Sequence, residues 1–134
     1  MSYSQYYNLR PGDRIVLGMY ATGAIKHFAI FLGYINGIEY IAENHKGSGV
    51  QIVLADYFLS AMPAVFYIER FTGSEQEQQE MIYRALSLQG TQYSLFAFNC
   101  EHYANYVQYG VAESKQVSRG IVYGAILIGL LWGR

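Results

Sequence analysis

Asn99-Cys100-Glu101-His102-Tyr103-Ala104-Asn105-Tyr106, continuing to Tyr109-Gly110, is the stretch on which the reading of this chain turns. Its spacing predicts a helix from Cys100 to Tyr109 with Gly110 at the C-terminal cap. Cys100 then follows Asn99 at the helix start, where unpaired N–H groups carry partial positive charge and favour a thiolate over a thiol. It is the one cysteine among 134 residues. An intramolecular disulfide and a zinc-binding thiol cluster are therefore both excluded, and the chain reads as intracellular or at least disulfide-independent. Such a cysteine is either inert core or the centre of chemistry.

A cysteine nucleophile needs a base near the thiol and a group that orients the base. There are three histidines to supply it. His102 lies two residues past Cys100 and points to a different side of the same helix, which makes it a poor base for that thiol. His45 stands at a strand end beside the loop Lys46-Gly47-Ser48-Gly49 and is expected to be exposed. His27 lies in Lys26-His27-Phe28-Ala29-Ile30-Phe31-Leu32, an apolar strand in which an imidazole needs a polar partner.

Around that strand the chain reads as a β half followed by a helical half. Pro11-Gly12-Asp13 is a turn before a first strand, Arg14 to Leu17; the His27 strand is expected to close at Gly33. Asn36-Gly37 signals a hairpin, with a return strand from Ile38 to Glu43 and a short strand from Val50 to Val53. A helical turn is expected over Leu54 to Leu59, and a last long strand over Ala64 to Phe71. Ser74 with Glu77 forms a capping box for a helix whose apolar face is Met81, Ile82, Ala85 and Leu86, with Gly90 as the stop.

The two cysteine and histidine segments carry a resemblance. Asn99 to Tyr106, with Tyr109-Gly110 and Ser114-Lys115-Gln116-Val117, resembles the N-C-E-H-F box of the lecithin retinol acyltransferase (LRAT) family. His27-Phe28-Ala29-Ile30-Phe31-Leu32-Gly33 is similar to that family's histidine signature, and Pro11-Gly12-Asp13 to the motif that opens its domain. The order also agrees, with the histidine strand first and the cysteine helix 73 residues later. The resemblance covers residues 9–117. It implies an α+β fold, the circularly permuted NlpC/P60 (papain-like) arrangement, with an antiparallel sheet packed against helices. It further implies Cys100 as nucleophile and His27 as general base and acid, acting on an ester or amide through an acyl-enzyme thioester. The backbone N–H of Cys100 is the natural first oxyanion donor.

One position departs from the family. Where lipid-active relatives usually carry a second histidine on the return strand, alignment of Tyr40-Ile41-Ala42-Glu43-Asn44 places Glu43. A glutamate can accept a hydrogen bond from His27 and stabilise its imidazolium, so a Cys-His-Glu set is chemically sound. Strand alternation puts Glu43 and His45 on one face and Asn44 on the other, which makes His45 the fallback.

Composition bounds the rest. With 52 % hydrophobic and 14 % charged residues and a net charge of −1, the chain is neither disordered nor built to bind nucleic acid. No cofactor or metal site is visible, since Lys46-Gly47-Ser48-Gly49 is a turn and not a phosphate-binding loop. The N-terminus has no basic and apolar leader pattern, so a cytoplasmic protein is expected. Residues 118–134 form a separate segment: Gly120 to Gly133 is uncharged and mostly apolar, and as a helix it spans about 21 Å, long enough to anchor at a membrane surface but not to cross it. Small residues at Gly120 and Gly124 and at Ala125, Gly129 and Gly133 would let it pack closely; Trp132 with Arg134 suits a headgroup region, and the alternatives are a helix buried against the domain's own core or a homotypic contact. The function expected is a thiol acyltransferase or hydrolase acting on lipid acyl esters. The alternatives are a non-catalytic recruitment module of the same fold, for which Glu43 is the best argument, and a thiol amidase of NlpC/P60 type.

Overall fold

The computed structural model describes residues 1–19, 25–63 and 66–111. The expected C-terminal apolar helix and membrane anchor, residues 118–134, lies outside the described residues. Five strands form one antiparallel sheet: β1 (Arg14–Met19), β2 (Ile25–Ile35), β3 (Ile38–His45), β4 (Gly49–Leu54) and β5 (Phe66–Glu69), in the order β4-β3-β2-β1-β5. Among the described residues four helices accompany it: α1 (Tyr3–Tyr6), α2 (Ala55–Ser60), α3 (Glu75–Ser87) and α4 (Cys100–Tyr109). The class is α+β. Among the described residues no helix is long and apolar enough to cross a membrane.

The apolar run Phe28 to Leu32 forms a strand buried on both faces. Phe28, Ile30 and Leu32 join Val16, Ala42 and Val50 against Met81 and Ala85 of α3 and Tyr103, Ala104 and Val107 of α4. Ala29 and Phe31, one residue out of phase, pack with Ile15, Leu17 and Ile41 against Ala55 and Leu59 of α2. A period of two with both phases apolar is what a central strand between two helical layers requires. Burying each of the larger side chains stabilises the fold by roughly 1.5–3 kcal/mol.

Several expectations need correction. Gly33 does not close the second strand: it takes φ +79° and the register to β3 shifts between Phe31 and Gly33, so β2 passes through a bulge and continues to Ile35. A side chain there would strike the Pro11 ring, with a Cβ 2.6 Å from Cγ, so the glycine serves close packing as well as the bulge. The last strand, expected from Ala64 to Phe71, ends at Glu69, because the N–H of Phe71 leaves the ladder to donate to Asp13 Oδ1 at 2.8 Å; its expected start, residues 64–65, lies outside the described residues. The apolar face of α3 is narrower than expected: Met81 and Ala85 are buried, while Leu86 is 40 % exposed. Helix α1 has no counterpart in the sequence reading. Ser2 and Gln5 close a capping box around its single turn.

Buried polar side chains fix α4 against the sheet. Arg14 Nη2 donates to Asn105 Oδ1 at 2.7 Å, its Nε donates to Gln108 Oε1 at 2.8 Å, and its guanidinium lies 5.4 Å from the Phe28 ring centroid. Gln108 Nε2 donates to the Gly12 carbonyl at 2.7 Å. Arg84 of α3 covers the C-terminal end of α4 by donating to the carbonyls of Val107 and Gln108 at 2.9 and 3.0 Å. Asp13 accepts from the backbone N–H groups of Arg10 and Phe71 and from Arg70 Nη1, which ties the Pro11-Gly12-Asp13 turn to the end of β5. Each such charge-assisted bond contributes about 1.5–3 kcal/mol. Together they fix the orientation of α4, and hence the direction in which its first turn points.

Candidate active site

The first turn of α4 is built by Asn99. Its Oδ1 accepts the N–H of Glu101 at 2.9 Å and of His102 at 3.0 Å, and the Asn99 N–H donates to His102 Nδ1 at 2.9 Å. This is a capping box with histidine at the third helical position. The histidine of the Cys-Glu-His string therefore serves the helix. Its ring nitrogen must accept, which requires the neutral form; burial lowers its pKa and outweighs the opposing pull of Glu101. The cap leaves the N–H of Cys100 itself unused, at the thiol-bearing residue. Asn99→Ala is expected to cost about 1–2 kcal/mol, read as a lower midpoint in urea unfolding; an unchanged midpoint would show that the first turn does not depend on the cap.

Asn44, on the opposite face of β3 from Glu43, also holds this turn. Its Nδ2 donates to the carbonyls of Phe98 and Asn99 at 2.9 and 3.2 Å. The residue is fully buried, and its Oδ1 has no partner among the described residues. Leu95 and Phe96, at the tip of the loop closed by the Ser94–Phe98 bridge, are 58 % and 64 % exposed just before the helix.

His27 alternates with Phe28 and so shares the β2 face of Ala29 and Phe31. Cys100 belongs to the core cluster of the other face. They approach where the start of α4 reaches the N-terminal end of β2: Cys100 Sγ lies 3.6 Å from the Lys26 carbonyl oxygen, and Cys100 is among the groups that raise the His27 pKa. Glu43 comes from the adjacent strand, with Oε1 2.6 Å from His27 Nε2. Only 13 % of the His27 side chain and 7 % of the Glu43 side chain are exposed, so this pair is shielded from water. A carboxylate only accepts, so Nε2 carries the proton and the other ring nitrogen, Nδ1, is left to take a proton from the thiol.

The electrostatics follow from these contacts. Burial alone would favour neutral imidazole at His27, but its hydrogen bonds and charge interactions with Cys100 and Glu43 override this and raise its pKa to about 9. At Glu43, burial pushes toward the acid form; the bonds to His27 and Gln51, with the charge of His45, outweigh it and lower the pKa. The two remaining histidines take no part in this bond. His45 is exposed, stands 6.1 Å from His27 between ring centroids, and accepts at Nδ1 from the Gly47 N–H at 3.1 Å. No group of three or more His, Cys, Asp or Glu suited to a metal ion occurs among the described residues.

Gln51 is absent from the sequence reading. It lies in β4 directly opposite Glu43, and its Nε2 donates to Glu43 Oε2 at 2.8 Å. The signal was available in principle, since Gln51 is the polar residue in the otherwise apolar string Val50 to Leu54. Alternation alone does not say what such a residue meets.

A model of the lecithin retinol acyltransferase family matches residues 7–113. Human Phospholipase A and acyltransferase 2 is 39 % identical over 54 residues, which cover 39 % of this chain and 33 % of that protein. The match thus spans about a third of the curated relative's length.

Proposed function

This chain belongs to the lecithin retinol acyltransferase family, and from that premise we propose that it is a thiol acyltransferase or phospholipase acting on acyl esters of lipids. The observation that carries the reading is the His27–Glu43 bond at 2.6 Å, shielded from solvent, with Cys100 at the start of a capped helix beside the backbone of Lys26, the residue before His27. In this reading the Cys100 proton rests on His27 Nδ1, which makes a thiolate–imidazolium pair, and the thiolate attacks the ester carbonyl carbon, whose π electrons move onto oxygen. The resulting oxyanion meets the N–H of Cys100. When the tetrahedral adduct collapses, the C–O bond to the leaving alcohol breaks and His27 returns its proton to that alcohol. The acyl group is left as a thioester on Cys100. Water, an alcohol or an amine then attacks that thioester with His27 again as base, and the thiol is restored.

Glu43 holds the proton on Nε2 and balances the imidazolium, the part an acidic third member plays in serine hydrolases. The chain order, histidine strand before cysteine helix, supports the circularly permuted NlpC/P60 arrangement. We place the protein in the cytoplasm at membrane surfaces, with residues 120–133 as the contact segment; their apolar composition supports this.

The test is the intact mass of the full chain after incubation with phosphatidylcholine vesicles. The expected result is a gain of one fatty acyl group on Cys100, released by neutral hydroxylamine, with lysolipid appearing in the vesicles. Absence of both the adduct and lysolipid would overturn the reading. It would then leave the recruitment module, the reading that a glutamate in place of the family's second histidine favours.

A further inference from the structure

We propose that Gln51 is a positioning residue of the active site, acting through Glu43: from β4 it holds one carboxylate oxygen so that the other is presented to His27. The inference rests on the site assignment made above, and the experiment below separates the two.

The geometry is specific. Glu43 and Gln51 are directly paired residues of β3 and β4, so their side chains leave the same face about 5 Å apart. The carboxylate is divided between two partners, with Oε1 2.6 Å from His27 Nε2 and Oε2 2.8 Å from Gln51 Nε2. The terminal torsion of a glutamate is broad and nearly two-fold, so a carboxylate bonded only through one oxygen swings freely about that bond. A second bond at the other oxygen removes this freedom and leaves Oε1 a single direction.

An amide suits the task. It donates without charge, so it does not compete with the imidazolium for the carboxylate as a lysine would. A carboxylate in its place would repel Glu43 and draw a proton into the pair. The charged and titratable groups around Glu43 are His27 from β2, His45 from the end of its own strand, and Cys100 of α4 acting through His27. Helix α2, which packs across β3 and β4, contributes the exposed Asp56. Gln51 is the neutral hydrogen-bond donor within this group of charges, and it satisfies the carboxylate oxygen that His27 does not reach.

The variants are Gln51→Leu, which keeps the length and removes the donor, and Gln51→Glu, which keeps the shape and reverses the polarity. In the full chain, three readouts separate positioning from packing: the His27 ring titration by NMR, kcat and KM on a soluble short-chain ester, and the alkylation rate of Cys100 by iodoacetamide between pH 4 and 8. Gln51→Leu is expected to lower kcat about tenfold with KM unchanged, and to move the His27 midpoint down by about half a pH unit. In Gln51→Glu the acid limb of alkylation should move further toward neutral pH than in Gln51→Leu, because the two carboxylates share a proton. A purely packing role predicts the opposite order, with the isosteric glutamate close to wild type. Wild-type His27 titration and kcat in Gln51→Leu, or identical profiles for the two variants, would overturn the proposal. If the site assignment itself is wrong, ester hydrolysis persists in Cys100→Ala; the His27 titration still reports whether Gln51 positions Glu43.

Discussion

Cys100→Ala is expected to abolish acyl transfer and lysolipid release from phosphatidylcholine, a loss of at least ~10³-fold, while leaving the fold intact. The side chain is small and 5 % exposed, so its replacement should cost about 1 kcal/mol of packing, a thermal shift of a few degrees that leaves the protein folded. His27→Ala should lose activity to a similar extent but for a second reason also loses stability. It removes the cation from a Glu43 carboxylate that is only 7 % exposed. Breaking one side of such a pair costs about 3–5 kcal/mol or forces the carboxylate to bind a proton. Comparing the two variants by lysolipid release and by urea unfolding therefore separates chemistry from folding. Full activity in either one would remove that residue from the mechanism.

The second large effect is expected at Glu43. With His27 raised from an ordinary 6.5 to about 9, the folded protein holds that proton more tightly than the unfolded chain does. The stabilisation is complete below about pH 6.5 and is lost as pH rises through about 9. Glu43 runs the other way: its lowered pKa stabilises the fold above the ordinary 4.5 and fails as pH falls through the depressed value. The site therefore contributes most between these limits, and the roughly 3 kcal/mol linked to the histidine is shared between Cys100 and Glu43. Glu43→Gln removes the anion. Wild-type protein should lose stability between pH 6 and pH 9, and Glu43→Gln should show a flatter profile over the same window, read from urea midpoints at several pH values. Turnover at pH 7 is expected to fall about 10²–10³-fold, because an amide does not balance the imidazolium and can present the wrong atom to Nε2. Parallel stability profiles for the two proteins would show that Glu43 does not hold the His27 proton.

Much of the fold was legible because the signals were local. The Ser74 capping box and the Asn36-Gly37 turn specify their geometry within four residues, and both features occur where expected. Gly110 takes the left-handed conformation that ends α4. Gly33 is ambiguous in the sequence because a bulge and a strand end present the same residue; only the Pro11 ring, brought over β2 by the turn, makes the glycine a packing requirement. The end of β5 before Phe71 is not legible locally because the partner of the Phe71 N–H, Asp13, is 58 residues away. His102 belongs to the same class of problem in reverse: its role is the local cap, although its chemistry invites a catalytic reading.

By itself the sequence determined the α+β class and, through its cysteine and histidine motifs, the family; the pairing of Cys100 with His27 is what that resemblance implies. Tertiary structure decided which side chain meets His27 and what holds that side chain. Alternation allowed both Glu43 and His45, and the register of β2 against β3 places a Glu43 oxygen 2.6 Å from His27 while His45 turns to the Gly47 backbone. Gln51 entered only through the pairing of β3 with β4. The physical reason is the same in each case. A side chain's face is set by its own strand, but its partner is set by the register of a neighbouring one, and register is a property of the assembled sheet.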